Sequence, residues 1–116
     1  MIVGIGIDVT QVSRFGEAVQ RTPGLLDKIF TPAEHDTSTQ RMAGRFAAKE
    51  AFAKALGAPT GLVWTDVEVR KDDDGKPYFE CSGTVAALVA QRGIASIHLS
   101  ITHDAGIAAA VVVCEV

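Results

Sequence analysis

Four side chains in this sequence stand where they can meet a charged ligand. Glu50 and Lys54 are an i, i+4 pair within Arg45-Phe-Ala-Ala-Lys-Glu-Ala-Phe-Ala-Lys-Ala-Leu-Gly57. On a helix they share a ridge, with Ala43, Ala47 and Ala51 between and beside them, too short to cover a carboxylate or hold off another backbone. An exposed Glu-to-Lys pair is often no more than a solvated salt bridge, so the ridge alone leaves two readings open. Asp8 ends the run Gly4-Ile-Gly-Ile-Asp8, and His103 lies in the short stretch His103-Asp-Ala-Gly106. A second ridge, Arg41, Arg45 and Lys49, lies roughly 140° round the same helix, at about 100° per residue, and suggests a different partner.

The elements that must position these groups follow from periodicity. Val3, Ile5, Ile7 and Val9 alternate with Gly4, Gly6 and Asp8, which predicts a strand over Ile2–Val9. Its apolar face is expected to enter the core; its glycine face permits another element to approach closely and presents Asp8 at the strand end. A third glycine at the spacing of a dinucleotide fingerprint is missing, since Val9 stands there. A helix carrying Arg14 and Arg21 is expected from near Thr10 or Ser13 to the break at Pro23-Gly24. Thr31-Pro-Ala-Glu34 spells a capping box and predicts another short helix, with His35 and Asp36 on the surface. The long helix then runs from about Thr39 to Leu56, with Gly57 as its stop.

Further on, Val63, Val67 and Val69 alternate, and Asp72-Asp-Asp-Gly75 turns the chain into Pro77–Cys81, predicting a hairpin rather than a calcium loop. A helix over Thr84–Arg92, capped by Ser82, precedes strands Ser96–Thr102 and Ile107–Glu115. Together these predict one α+β domain over residues 1–116, a mostly antiparallel sheet packed against one long helix and several shorter ones.

Composition narrows the function. With 116 residues, 47% hydrophobic and 22% charged, the chain can bury one core without staples. The opening segment lacks a basic leader and meets Asp8 early, so a soluble, cytoplasmic protein without a membrane span is expected. Cys81 and Cys114 lack metal-ligand spacing and read as buried free thiols. A net charge of -3 argues against general nucleic-acid affinity. Arg14, Arg21, Lys28, Arg41, Arg45, Lys49 and Lys54 nonetheless place seven of the eleven Lys and Arg residues in the first half, a local basic surface for an acidic partner.

Three stretches coincide with one family: Gly4-Ile-Gly-Ile-Asp8 through Arg14, Arg45-Phe-Ala-Ala-Lys-Glu-Ala51 through Lys54-Ala55, and Ser100-Ile-Thr-His103 before an alanine-valine strand. The chain resembles the holo-acyl-carrier-protein synthases, the short members of the 4'-phosphopantetheinyl transferase superfamily, over essentially its full length. That resemblance implies transfer of phosphopantetheine from coenzyme A to a serine hydroxyl of an apo acyl carrier protein, releasing adenosine 3',5'-bisphosphate. It implies Mg2+ as cofactor and a homotrimer with active sites between subunits.

On this resemblance Asp8 and Glu50 match the two carboxylate ligands of Mg2+, and Lys54 the lysine near metal and pyrophosphate. His103 matches a histidine that meets coenzyme A from the neighbouring subunit; Arg45, Lys76 and Pro77 match positions at its nucleotide end. Arg14 and Arg21 match the carrier-docking positions. The base that takes the serine proton is left between a metal-bound water and Glu50. Gln11, and Gly57-Ala-Pro59, depart from the family pattern. A non-catalytic carrier- or coenzyme-binding module of the same fold is the competing reading; it could dispense with Asp8, Glu50 or Lys54, all of which are present. Whether the carrier serves fatty-acid biosynthesis or a polyketide system is not written in the sequence.

Overall fold

The spacing of two glycines decides how this chain packs. A computed structural model describes residues 1–116. Strand β1 (Ile2–Gln11) lies against helix α3 (Thr39–Ala55) so closely that a Cβ on Gly4 or Gly6 would overlap the carbonyl oxygens of Ala55 and Ala51, and on Gly6 would also stand 2.7 Å from the Ala55 amide nitrogen. Ala47, Ala48 and Ala51 are fully buried along α3, so helix and sheet meet nearly backbone to backbone.

Between β1 and α3 come α1 (Val12–Arg21), α2 (Leu25–Ile29) and a single 3-10 turn at Pro32–Glu34. After α3 come a second 3-10 turn (Trp64–Asp66), β2 (Val67–Lys71), β3 (Pro77–Cys81), α4 (Gly83–Gln91), β4 (Ser96–Asp104) and β5 (Ile107–Glu115). The strands form a three-stranded antiparallel sheet, ordered β1-β5-β4, and a separate β2-β3 hairpin. This is the expected α+β architecture. Helix α3 covers one face of the sheet, where Ala108, Ala110, Val112 and Cys114 of β5 are buried. The hairpin folds over the far side of α3, with Phe79 stacked on Phe52 at 4.7 Å. No helix is long and apolar enough to cross a membrane.

Five expectations need correction. The apolar face of β1 does not enter the core: Ile5, Ile7 and Val9 are 62%, 62% and 63% exposed, because the glycine face, which has no side chains to hold α3 away, takes the inner side. The basic ridge of α3 is divided. Arg41 is exposed, whereas Lys49 is buried and donates to Glu34 Oε1 (2.7 Å), Ile29 O (2.6 Å) and Trp64 O (3.0 Å). The capping box at Thr31 starts only one turn of 3-10 helix, since the Glu34 carboxylate also accepts from the Val69 amide (2.8 Å) and is held inside the fold.

Asp36 is not simply a surface residue: it accepts from the Ser38 amide (2.8 Å) and pairs with Arg41 and Arg45 (3.6 and 3.8 Å). Finally, Ser82 holds the N-cap position of α4 but its side chain makes no cap bond. Asp66 Oδ2 accepts from both the Thr84 amide and its hydroxyl (2.8 Å each), and these bonds hold the Asp66 carboxyl below its ordinary range.

Substituting Gly6→Ala forces α3 off the sheet. Unfolding in urea is expected to show a loss of about 3 kcal/mol, against little change for alanine at Gly16, where a Cβ would meet only the Thr39 methyl at 3.3 Å.

Candidate active site

The inner face of β1 reads Gly4, Gly6, Asp8, so the contact that brings α3 down onto the glycines delivers Asp8 to the helix's charged ridge. Lys54 Nζ donates to Asp8 Oδ1 (3.2 Å) and to the Ile7 carbonyl (3.0 Å). The second oxygen, Asp8 Oδ2, accepts from the Thr10 hydroxyl (2.9 Å). Only 14% of the Asp8 side chain is exposed, against 53% for Lys54: the carboxylate is fixed and the ammonium sits at the rim.

Glu50 completes the group. Its side chain is exposed on the cleft side, and its carboxyl is pushed above the ordinary glutamate range, first by partial loss of water and then by the charge of Asp8, with Lys54 pulling the other way. Two carboxylates thus act on each other, with one ammonium bonded to Asp8, and no third Asp, Glu, His or Cys joins them. This donor set fits a hard divalent cation such as Mg2+, which takes one or two carboxylates and completes its shell with water and phosphate oxygens.

Asp8, Thr10 and Glu50 open into a cleft of ≈ 540 Å³ whose other wall carries Arg14 and Arg21 of α1, with Leu25, Ile29 and Phe46 as its apolar floor. The two carboxylates and Arg14 and Arg21 therefore share one cleft. Gln11, which departs from the family pattern, lines it too.

The remaining predicted residues gather elsewhere. Arg45, Pro77 and His103 line a second cleft, also of ≈ 540 Å³, between α3, the β2-β3 hairpin and the end of β4. Arg45 is set by donating to the Glu34 carbonyl and by the Asp36 carboxylate. His103 is not in a loop: it belongs to the β4–β5 ladder opposite Ala108, and the turn is only Ala105-Gly106, both at positive φ. Lys76 does not line the cleft, although its neighbours Gly75 and Pro77 do. Arg41, Arg70, Lys71 and Tyr78 were not predicted there and do line it. Arg70 faces Tyr78 across the hairpin and is oriented by Glu68 through Nε (3.0 Å) and Nη2 (2.8 Å). The signal for this pair was the hairpin register itself. The two clefts have no lining residue in common.

The family model of the 4'-phosphopantetheinyl transferase superfamily matches residues 4–112. A holo-[acyl-carrier-protein] synthase from Clavibacter sepedonicus is 53% identical over 115 residues, covering 99% of this chain and 97% of that relative. The chain belongs to the holo-[acyl-carrier-protein] synthases. Solved structures of the family agree in fold. The synthase from Neisseria meningitidis superposes with a TM-score of 0.88 at 31% identity, covering 99% of each chain. The Helicobacter pylori synthase in complex with coenzyme A gives 0.85 at 33% identity, covering 96% of this chain and 99% of that one. Membership at this identity and coverage makes the protein an enzyme of the synthase type.

A raised carboxyl has a stability signature. The folded state takes up the Glu50 proton before the unfolded chain does, so the contribution of that proton is fully present below the ordinary glutamate value. It is lost as pH rises through the elevated one. Glu50→Gln is therefore expected to melt slightly higher than wild type at pH 8, with the gap closing on acidification, while transferase activity falls at least about a hundredfold. Thermal melts across pH, run beside an activity assay, check both.

Proposed function

We propose that this enzyme transfers the 4'-phosphopantetheine group from coenzyme A to a serine hydroxyl of an apo acyl carrier protein, with Mg2+, releasing adenosine 3',5'-bisphosphate. The observation that carries the reading is that Asp8 and Glu50 share one cleft with Arg14 and Arg21, while Lys54 reaches Asp8 from outside the cleft lining. That cleft offers cation and phosphate chemistry on one wall and a basic docking helix on the other.

In this reading Asp8 and Glu50 hold the cation, which supplies charge neutralisation for the pyrophosphate. The Lys54 ammonium adds a point charge toward the same oxygens. Arg14 and Arg21 draw an acidic carrier surface to the cleft, a salt-sensitive attraction. The serine oxygen then forms a bond to the phosphorus bearing pantetheine as the bond to the bridging oxygen breaks. The serine proton would pass to Glu50 or to a water that the cation holds. Arg45, Arg41 and Lys71 of the second cleft suit the phosphates of the nucleotide end, beside Pro77 and His103.

We further propose that one domain of 116 residues acts as a homotrimer, with each active site built from the carboxylate cleft of one subunit and the basic cleft of the next. Two features support this: within one chain the clefts are separate, and Val3, Ile5, Ile7 and Val9 stand exposed beside Val111 on the outer sheet face. An apolar row of that kind is what a second copy would cover. The enzyme's location is proposed to be cytoplasmic.

Incubation with apo carrier, coenzyme A and Mg2+ is expected to add one phosphopantetheine to the carrier by mass spectrometry, and EDTA to stop it; persistent transfer in EDTA would count against the cation. Asp8→Asn and Arg45→Glu are each expected to be inactive alone. Mixed as subunits they should regain part of the activity, because some sites then combine two intact halves, whereas unshared sites would regain none.

A further inference from the structure

Lys54 is bonded to the wrong partner for a lysine that serves a phosphate. Both acceptors of its ammonium belong to the end of β1: Asp8 Oδ1 at 3.2 Å and the Ile7 carbonyl at 3.0 Å. The Thr10 hydroxyl meanwhile donates to Asp8 Oδ2 at 2.9 Å, so each oxygen of the carboxylate already accepts one bond, and the charged donor is the one on Oδ1. A divalent cation arriving at Asp8 therefore meets the Lys54 ammonium on the same carboxylate, and the two positive charges repel.

We infer that Lys54 is a resident counter-ion, which the divalent cation displaces from Asp8 and so frees to turn toward the phosphate of the incoming substrate. The inference rests on the proposed transferase reading and adds an order to it, cation before phosphate ligand. Three features make the exchange physically reasonable. Asp8 is largely buried and fixed by Thr10, whereas Lys54 is half exposed on a flexible four-carbon stem, so the ammonium is the partner that moves. The Ile7 carbonyl is a neutral acceptor that Lys54 can keep as a pivot when the Asp8 contact is given up. Glu50, which lines the same cleft as Asp8, supplies the second carboxylate, so the exchange replaces one unit charge by two beside a pair of anions. The other nearby ionisable groups, Arg14, Arg21 and Glu17, lie along the α1 wall of the cleft, and no hydrogen bond or ion pair joins them to Asp8.

The consequence is a pair of effects with opposite sign. Removing the ammonium should strengthen cation binding, because nothing then has to leave Asp8, yet weaken the phosphate ligand, which loses its point charge. A residue with only a structural role would weaken both.

The test is calorimetric titration of Mg2+ into the metal-free full-length enzyme at pH 8, followed by titration of coenzyme A in saturating Mg2+, for wild type, Lys54→Met and Lys54→Arg. Lys54→Met is expected to bind Mg2+ about three- to fivefold tighter than wild type, the range of a partly exposed ion pair, and coenzyme A at least about tenfold more weakly. Lys54→Arg, which keeps the charge, should bind Mg2+ no tighter than wild type. Lys54→Gln, with helix content followed by circular dichroism, provides a second neutral variant should methionine perturb the helix. Unchanged or weaker Mg2+ binding in both neutral variants overturns the exchange while leaving the transferase reading intact. A wild type that takes up no Mg2+ and transfers no phosphopantetheine overturns both.

Discussion

Everything at the carboxylate cleft depends on how near α3 comes to β1. A helix packed on a sheet through ordinary side chains would hold its charged ridge well away from the strand backbone. Here Gly4 and Gly6 have no side chains, Ala51 and Ala55 almost none, and the helix settles onto the strand itself. Lys54 can therefore reach a backbone carbonyl of β1, and Glu50 feels the charge of Asp8 across a boundary between two elements more than forty residues apart in sequence. The chemistry of the cleft is a by-product of close packing.

A second constraint fixes the opposite flank of the same helix. Lys49 and Glu34 are both buried, and every polar atom of the pair has a partner: Glu34 also accepts from the Thr31 and Val69 amides. Burial pulls the Lys49 ammonium below its usual range, and the Glu34 carboxylate opposes that pull. Breaking such a pair costs about 3–5 kcal/mol because a lone buried charge remains. The pair ties α3 to α2, to the turn at Trp64 and to β2, and the Glu34 carbonyl holds Arg45 at the second cleft. One helix is thus seated by missing side chains on one side and clamped by ions on the other.

This division explains what the sequence disclosed. Strand and helix spans, both hairpins and the Glu50–Lys54 ridge were legible because alternation, capping and i, i+4 spacing are local signals, whereas Asp8 was joined to that ridge only through the resemblance to a known family. The inward face of β1 was not legible, because hydrophobicity points the other way: its valines and isoleucines look like core, and only the small size of residues on a distant helix shows that they are not. Lys49 read as one more surface cation for the same reason, since its partner Glu34 lies fifteen residues back behind a proline turn. Lys71 and Arg70 joined the second cleft through the register of a hairpin, which no motif announces.

The outward row of Val3, Ile5, Ile7 and Val9 has a consequence for the protein in dilute solution. With its two clefts on opposite flanks of α3, a solitary chain carries both halves of the proposed shared site and no whole one. Under that proposal specific activity would cease to be a constant of the molecule and become a function of its own concentration, governed by mass action among copies. A cell that makes too little of such a chain obtains disproportionately little catalysis from it, since the loss in assembly compounds the loss in number.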